Sequence, residues 1–220
     1  MRKYLISLLF LTAVATGQAQ SGYCLSFADY QSNTWHTVEN LQLEYRSGNK
    51  SLWNGGATYK PVTGDAKTEK VLKKEARLIL HHDSLFINCR NLSYQKTRFG
   101  NWYAPTCVFD RDYLMFVALS LKAIKQTRNS SMAFGIIGGA IAAANHQDDY
   151  QCYVFYPSSE TVKPVDQEMM ESLLENHPEM REAYDKTDKK KKYAPEVVIP
   201  ILQQLGLIDE SPYSQIRQNQ

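Results

Sequence analysis

The sequence predicts an α+β fold, in which an antiparallel, strand-rich module is followed by C-terminal helices packed on its sheet. Residues 41–156 mostly alternate apolar with polar side chains and are rich in aromatic and β-branched residues, which is typical of strands. After Pro164 the apolar residues recur at helical spacing. Of the 220 residues, 43% are hydrophobic and 22% are charged, a composition that supports a folded core and excludes a disordered or collagen-like chain.

Residues 1–20 have the pattern of a secretory signal peptide. Arg2 and Lys3 precede an apolar run that is shorter than the roughly 20 residues of a membrane-spanning helix. Small residues follow, and we expect cleavage near Ala19; an uncleaved anchor is the alternative. The sequence therefore predicts export to the periplasm or cell surface. The predicted organisation is a signal peptide at 1–19, a β-rich module at 20–158 and a helical region at 159–220 that packs on this module.

The charge balance argues against a nucleic-acid partner. The chain has 25 Lys and Arg residues against 23 Asp and Glu residues. Removing Arg2 and Lys3 with the signal peptide leaves 23 of each. Nucleic-acid binding depends on neutralising phosphates with clustered basic residues, so a nearly neutral mature chain does not favour it.

The first half of the mature chain reads as strands and turns. Leu41–Tyr45 alternates as a half-buried strand does, and the Gly-rich end of 53–56 indicates a turn. Residues 77–80 and 85–89 are apolar on either side of the polar stretch 81–84, which predicts a β-hairpin. Residues 67–76 fit either a solvated helix or an edge strand protected by lysines, and the pattern does not decide between them.

The second half combines buried strands with short helices. Residues 113–119 are almost continuously apolar, which predicts a strand covered on both faces. Residues 151–156 predict a further strand, which ends at Pro157. A helix is expected from the N-cap Asp166 to the region before Pro178, and a second helix from Pro178. A third helical segment is expected from Pro195 to Leu205, with a kink or a later start at Pro200. Gly206 would end this helix.

Four cysteines remain in the mature chain: Cys24, Cys89, Cys107 and Cys152. An even number in an exported protein favours disulfides. Four cysteines allow three pairings, and the sequence does not separate them. Cys89 and Cys107 are the pair nearest in sequence and a possible bridge, and free buried thiols are the alternative.

Residues 131–145 form a Gly- and Ala-rich apolar insertion without charges in its centre. As a helix this stretch would be too short to span a bilayer. It therefore predicts a buried segment, a mobile insertion between strands, or a surface that enters a membrane interface or self-associates through small residues. The residues of this candidate segment are Phe134, Gly135, Ile136, Ile137, Gly138, Gly139 and Ile141.

No established catalytic motif occurs in the chain, and the sequence predicts no catalytic residue, metal or cofactor. His81, His82 and Asp83 are the densest polar cluster, although neighbouring strand residues point to opposite faces. Trp53 and Trp102 lie beside turn-like sequences, where exposed rings could stack on sugars or anchor a protein partner. The run Lys189–Lys192 lies in a stretch with 7 basic and 9 acidic residues from 160 to 192, which favours a solvated linker over a membrane contact.

A family resemblance is carried by four segments of the chain, at 83–90, 99–105, 114–118 and 134–144. Together these segments resemble an uncharacterised family of secreted proteins of unknown function from Gram-negative anaerobic bacteria. The resemblance continues through the C-terminal helices and covers most of the mature chain. It implies export and a β-rich module with a helical C-terminal part, and it implies no catalytic residue.

The sequence thus favours an exported, non-catalytic binding or structural module of the cell envelope. One alternative is an envelope protein that enters membranes or self-assembles through the Gly-rich segment. Another is a glycan-binding protein or a hydrolase. The corresponding partners are another envelope protein, a membrane surface or a glycan.

Overall fold

The apolar segments of the chain form strands of a large antiparallel sheet. We analysed a computed structural model, which describes residues 21–46, 57–127, 129–130, 132 and 149–209. The strands are β1 Gly22–Cys24, β2 His36–Thr37, β3 Gln42–Tyr45, β4 Tyr59–Val62, β5 Leu78–His81, β6 Ser84–Asn88, β7 Ser93–Tyr94, β8 Thr97–Arg98, β9 Tyr103–Phe109, β10 Tyr113–Leu119, β11 Tyr150–Tyr156 and β12 Thr161–Pro164.

The sheet has the order β12-β11-β10-β9-β6-β5-β1-β2, and every neighbouring pair is antiparallel. The β3–β4 hairpin joins it through β4, where Tyr59 pairs with Tyr103 at the start of β9. Further along β9, Thr106 pairs with Phe116 of β10. Strand β9 therefore changes its neighbour on one side from β4 to β10, while β6 stays on the other side. A separate two-stranded hairpin consists of β7 and β8.

The predicted strands at 41–45, 113–119 and 151–156 are confirmed. In β10 every residue after Tyr113 is buried, which is why this strand lacks the polar alternation of a half-exposed one. The Arg77–Cys89 hairpin is also confirmed, as β5 and β6. Its turn is tighter than the four polar residues suggested, because only His82 and Asp83 lie outside the strands. Both have positive φ values, 47° and 63°, as a two-residue hairpin turn of the I′ type requires.

Short helices complete the α+β fold. They are α1 Phe27–Gln31, α2 Ala66–Lys74, α3 at 121–127 with residues 129–130 and 132 also helical, α4 Gln167–Leu173, α5 Pro178–Asp185 and α6 Pro195–Gln204. Residues 67–76 fitted either a helix or an edge strand in sequence, and most of them form helix α2. Asp65 is its N-cap, and the carboxylate accepts hydrogen bonds from Thr68 N at 2.8 Å and Thr68 Oγ1 at 2.6 Å. These bonds to the ionised form lower the pKa of Asp65.

The C-terminal helices begin and end where the sequence indicates. Asp166 caps α4 by accepting from Met169 N, and Pro178 opens α5. Helix α6 starts at Pro195 and continues through Pro200, so the helix does not start late. Gly206 follows with φ +67°, the left-handed conformation expected of a residue that ends a helix.

Two hydrophobic cores lie in the fold. The larger one joins β9, β10 and β11 to the C-terminal helices, which contribute Met170, Leu174, Val198, Ile199 and Leu202. Contacts between α6 and β11 fix these helices against the sheet. The smaller core includes Tyr59, Leu72, Ile79, Phe86 and Tyr103, and it joins α2 to β4, β5, β6 and β9. The fold is therefore α+β with helices packed on the sheet, as predicted.

The candidate Cys89–Cys107 disulfide is wrong, because all four cysteines are buried and none forms a disulfide. Strand register gives the reason. Asn88, the residue before Cys89, pairs with Tyr103 of β9. Cys107 lies four residues further along β9 than Tyr103. At about 3.3 Å per residue this offset exceeds 13 Å, well beyond the roughly 7 Å limit on the Cα–Cα distance of a disulfide.

We expect the thiols of the native protein to resist modification. Burial raises the pKa of Cys24 to about 12 and raises those of Cys89 and Cys152 further, so these groups stay protonated at pH 8. Titration of the native protein with a thiol reagent such as DTNB should give far fewer than four equivalents, and titration in guanidinium should give all four. A gain of mass on reduction, which marks a disulfide, would contradict this expectation.

Candidate functional site

A cleft of about 600 Å³ opens where three parts of the chain meet. They are the start of α3, the start of β11 and the loop 188–194 before α6. The backbone joins the first two parts, because Ser120 N donates to Asp149 O at 2.6 Å. Lys122, Gln151 and Tyr193 line the walls. A volume of this size is within the range of small-molecule sites. We call it the lysine cleft.

The loop 188–194 has a defined conformation that brings lysines to the cleft. Asp188 organises it, since its carboxylate accepts from Lys190 N at 3.0 Å and its carbonyl accepts from Lys191 N at 2.8 Å. Ala194 N then donates to Lys191 O at 2.9 Å. These successive turns place Lys189 and Lys190 on the cleft wall.

Lys192 has a different role from the lysines before it. Its ammonium lies 3.0 Å from the carboxylate of Asp185 and 4.7 Å from the ring centroid of Tyr184, and its side chain is only 19% exposed. This ion pair and cation–π contact hold the end of the loop against α5. The lysine run therefore contains one anchoring residue, Lys192, and two residues that line the cleft, Lys189 and Lys190.

The lysine cleft is positively charged. Three ammonium groups, those of Lys122, Lys189 and Lys190, line it together with one carboxylate, that of Asp149. Its formal charge is thus +3 − 1 = +2 over the described residues. Within those same residues no Leu, Ile, Val, Phe or Met side chain contributes to the lining.

The dipoles of two helices add to this positive potential. Helix α3 begins beside Ser120, whose hydroxyl accepts from Ala123 N at 3.1 Å. Helix α6 begins after Ala194, and Ser120 and Ala194 both line the cleft. The N-terminal end of a helix carries partial positive charge, which favours anions nearby. Lysines and helix dipoles therefore act in the same direction.

The predicted cluster His81, His82 and Asp83 lies at the opposite part of the sheet, at the β5–β6 turn. The turn brings the two imidazoles together, with ring centroids 4.0 Å apart. Ser21 Oγ lies 2.8 Å from His81 Nδ1. Over the part of the chain that the structure describes, no three His, Cys, Asp or Glu residues form a group that could hold a metal ion.

His81 should make stability depend on pH. Burial, and then the neighbouring His82, lower the pKa of His81. As the pH falls below the usual histidine pKa of about 6.5, the unfolded state therefore binds more protons than the folded state. The contribution of His81 to stability is fully present above that pH and is lost as the pH falls through the folded pKa. We expect the melting temperature of His81→Gln to decrease less than that of the wild type between pH 8 and pH 5.

A matched control separates this effect from general acid destabilisation. His177 is exposed and makes no side-chain hydrogen bond at the start of α5. The melting temperature of His177→Gln should follow the pH dependence of the wild type. Equal slopes for His81→Gln and the wild type would contradict the assignment.

The structure describes one of the two predicted tryptophans, Trp102. Trp102 is half-buried against the larger core, and the guanidinium of Arg46 lies 5.6 Å from its ring centroid. Trp53 and the candidate segment 134–141 lie outside the described residues. No helix in the described ranges is long and apolar enough to cross a membrane.

Sequence reasoning missed the lysine cleft. The run Lys189–Lys192 was visible, but its surroundings carry a net negative charge along the sequence, which favours a solvated linker. The cleft depends instead on Lys122, some 67 residues earlier, and on the start of β11. Four consecutive lysines before a helix that begins with proline are the one local signal that could have indicated it.

Comparison with known proteins identifies the family of the chain. Residues 22–209 match the model of DUF6563, described as a family of unknown function. Searches among curated proteins and solved structures find no match. Because the family model covers most of the sequence, this chain belongs to the DUF6563 family, whose function is unknown.

Proposed function

We propose that this protein is exported and acts as a non-catalytic binding module of the cell envelope, with the lysine cleft as its binding site. The observation that carries the proposal is the cleft itself. It combines a ligand-sized volume with three lysines supplied by two separate parts of the chain. Such convergence of charged side chains in a concavity is typical of a binding site.

The N-terminal sequence supports the export part of the proposal. Arg2, Lys3 and the following apolar run have the order found in signal peptides. The first strand starts at Gly22, and the family match starts at the same residue. Cleavage after Ala19 would therefore leave all the described strands and helices in the mature protein.

Subcellular fractionation of the native full-length chain tests export. We expect the mature protein in the periplasmic or surface fraction, with Gln20 at its N-terminus by mass spectrometry. A carbonate wash should release any protein that sediments with membranes. An unprocessed protein in the cytoplasm would overturn export. Retention in washed membranes would instead favour the alternative in which segment 134–141 inserts into the bilayer.

Binding is tested by sedimentation of the purified mature protein with isolated envelope material. We expect a saturable association that decreases with salt, because screening weakens the attraction between exposed charges. Turnover in a broad hydrolase panel would overturn the non-catalytic part of the proposal if replacing His81, His82 or Asp83 abolished it.

A further inference from the structure

We infer that the lysine cleft binds an acidic saccharide, meaning a sugar that carries a carboxylate or a phosphate group. The inference rests on the proposed binding function and names the chemical class of its ligand. It follows from three features of the described lining, namely its charge, its hydrogen-bonding groups and its lack of large aliphatic side chains.

The charge of the cleft selects an anion. Lys122 comes from the first turn of α3, whereas Lys189 and Lys190 come from the loop before α6. These two sources are separate parts of the chain, so the cleft collects cations that the sequence keeps far apart. Within the described lining Asp149 supplies the single carboxylate, which leaves an excess of two positive charges. An anion would offset this excess, and its hydrogen bonds to ammonium groups would be charge-assisted.

The remaining polar groups fit a ligand rich in hydroxyls. Ser120, Gln151 and Tyr193 line the cleft. Ser120 Oγ already accepts from Ala123 N and Gln151 Nε2 already donates to Val165 O, but the Ser120 hydroxyl and the second N–H of Gln151 remain as donors. The ring of Tyr193 is half-buried, which leaves part of its face available to the apolar side of a sugar ring. A carboxylate or phosphate on such a ring would then lie within the field of the lysines.

The lining argues against a lipid as the ligand. An acyl chain needs an apolar wall, because transferring hydrocarbon out of water is the main favourable term in lipid binding. Within the described residues the cleft has no Leu, Ile, Val, Phe or Met side chain, and Ala194 is its only aliphatic one. A water-soluble ligand with hydroxyl and acidic groups is the better chemical match.

Titration calorimetry with matched pairs of sugars tests the inference. The probes are digalacturonate with galactobiose, 3′-sialyllactose with lactose, and glucose 6-phosphate with glucose. We expect at least one acidic member to bind the mature protein about tenfold or more tightly than its neutral partner, since charged hydrogen bonds account for differences of that size. Equal affinity within all three pairs, or no binding of any acidic member, would overturn the inference.

Lysine variants locate the site. The Lys189→Gln/Lys190→Gln double variant should bind the preferred acidic sugar about tenfold more weakly than the wild type. Lys191→Gln is the matched control, because Lys191 is exposed and lies in the same loop but does not line the cleft. Its affinity should equal that of the wild type. An equal loss in the control, or no loss in the double variant, would show that the sugar binds elsewhere and would overturn the assignment.

Two further measurements distinguish this inference from the proposed function. Vesicles containing phosphatidylglycerol should not compete with the acidic sugar, and binding to vesicles alone would overturn the saccharide in favour of a lipid headgroup. Envelope sedimentation is then repeated with the double variant. If the wild type and the double variant sediment equally, the protein binds the envelope through another surface. That result would overturn the cleft as the binding site but would leave envelope binding supported.

Discussion

Replacing Phe99 with alanine should lower the free energy of unfolding by about 3–5 kcal/mol, the usual range for a buried Phe→Ala change. Phe99 is fully buried although it lies in the connection between β8 and β9. Its ring centroid lies 5.4 Å from that of Phe116 and 4.7 Å from that of Tyr153, both in edge-on geometry. Phe116 and Tyr153 also stack on each other. The substitution therefore leaves a cavity where three aromatic rings meet.

Thermal and chemical denaturation measure this effect. In a domain of this size a loss of that magnitude corresponds to a decrease in melting temperature on the order of 10 °C. Leu25→Ala is the control, because Leu25 is 39% exposed and its truncation leaves no buried cavity. Phe99→Leu should fall between the two variants, since it keeps part of the apolar volume. A loss below 1 kcal/mol for Phe99→Ala would show that Phe99 does not complete this core.

Periodicity predicted the elements whose burial is uniform along their length. Strands β10 and β11 are covered on both faces, and their sequences are correspondingly apolar. The β5–β6 hairpin was also predictable, since its two apolar runs flank a short polar turn. Helices α4 and α5 were indicated by Asp166 and Pro178, which act locally. In each case residues close together in sequence determine the element.

Strand β9 shows why other elements could not be predicted. It contains Pro105, which sequence rules exclude from central strands because proline cannot donate to the ladder. In this fold Pro105 lies between Tyr103, which pairs with β4, and Thr106, which pairs with β10. It therefore occupies the point where the strand changes its neighbour. Strand β9 tolerates Pro105 because of the topology of the sheet, which no local sequence pattern indicates.

The lysine cleft was unpredictable for a similar reason. Lys122 and Lys189 come together because α3 and the loop before α6 both meet the start of β11. The order of strands in the sheet, with β11 next to β10, creates this meeting point. Net charge along the sequence averages Lys189 and Lys190 with acidic residues of α4 and α5 that do not line the cleft. The net charge along the sequence therefore does not indicate the local excess of positive charge at the lysine cleft.

Asn88 connects the sheet to helix α2, and Asn88→Ala should lower the free energy of unfolding by about 2–4 kcal/mol. The last carbonyls of a helix lack partners within the helix. The buried amide of Asn88 donates to Ala76 O, just after α2, at 2.8 Å and to Leu72 O at 3.2 Å. Its oxygen accepts from Arg90 N at 3.0 Å. The amide nitrogen also donates to the Tyr103 hydroxyl at 3.4 Å. Alanine would remove all four bonds, and buried polar groups left without a partner are costly.

A series of variants isolates this contribution. Tyr103→Phe removes the hydrogen bond from the hydroxyl to Leu72 O, which Asn88 still serves, and the longer bond of 3.4 Å from Asn88 Nδ2 to the hydroxyl. We expect a loss of about 1 kcal/mol. Asn91→Ala is the matched control, since Asn91 is exposed and its replacement should cost less than about 0.5 kcal/mol.

The double variant Asn88→Ala/Tyr103→Phe leaves Leu72 O without either side-chain donor. Loss of the last side-chain donor to a buried carbonyl should make this loss exceed the sum of the two single losses, even though the long bond of 3.4 Å between Asn88 Nδ2 and the Tyr103 hydroxyl is counted in both single variants. Urea denaturation of the four variants and the wild type gives these differences. A strictly additive double variant would show that Asn88 and Tyr103 do not share Leu72 O in solution. Helix α2 would then be held to the sheet mainly by apolar contacts such as those of Leu72.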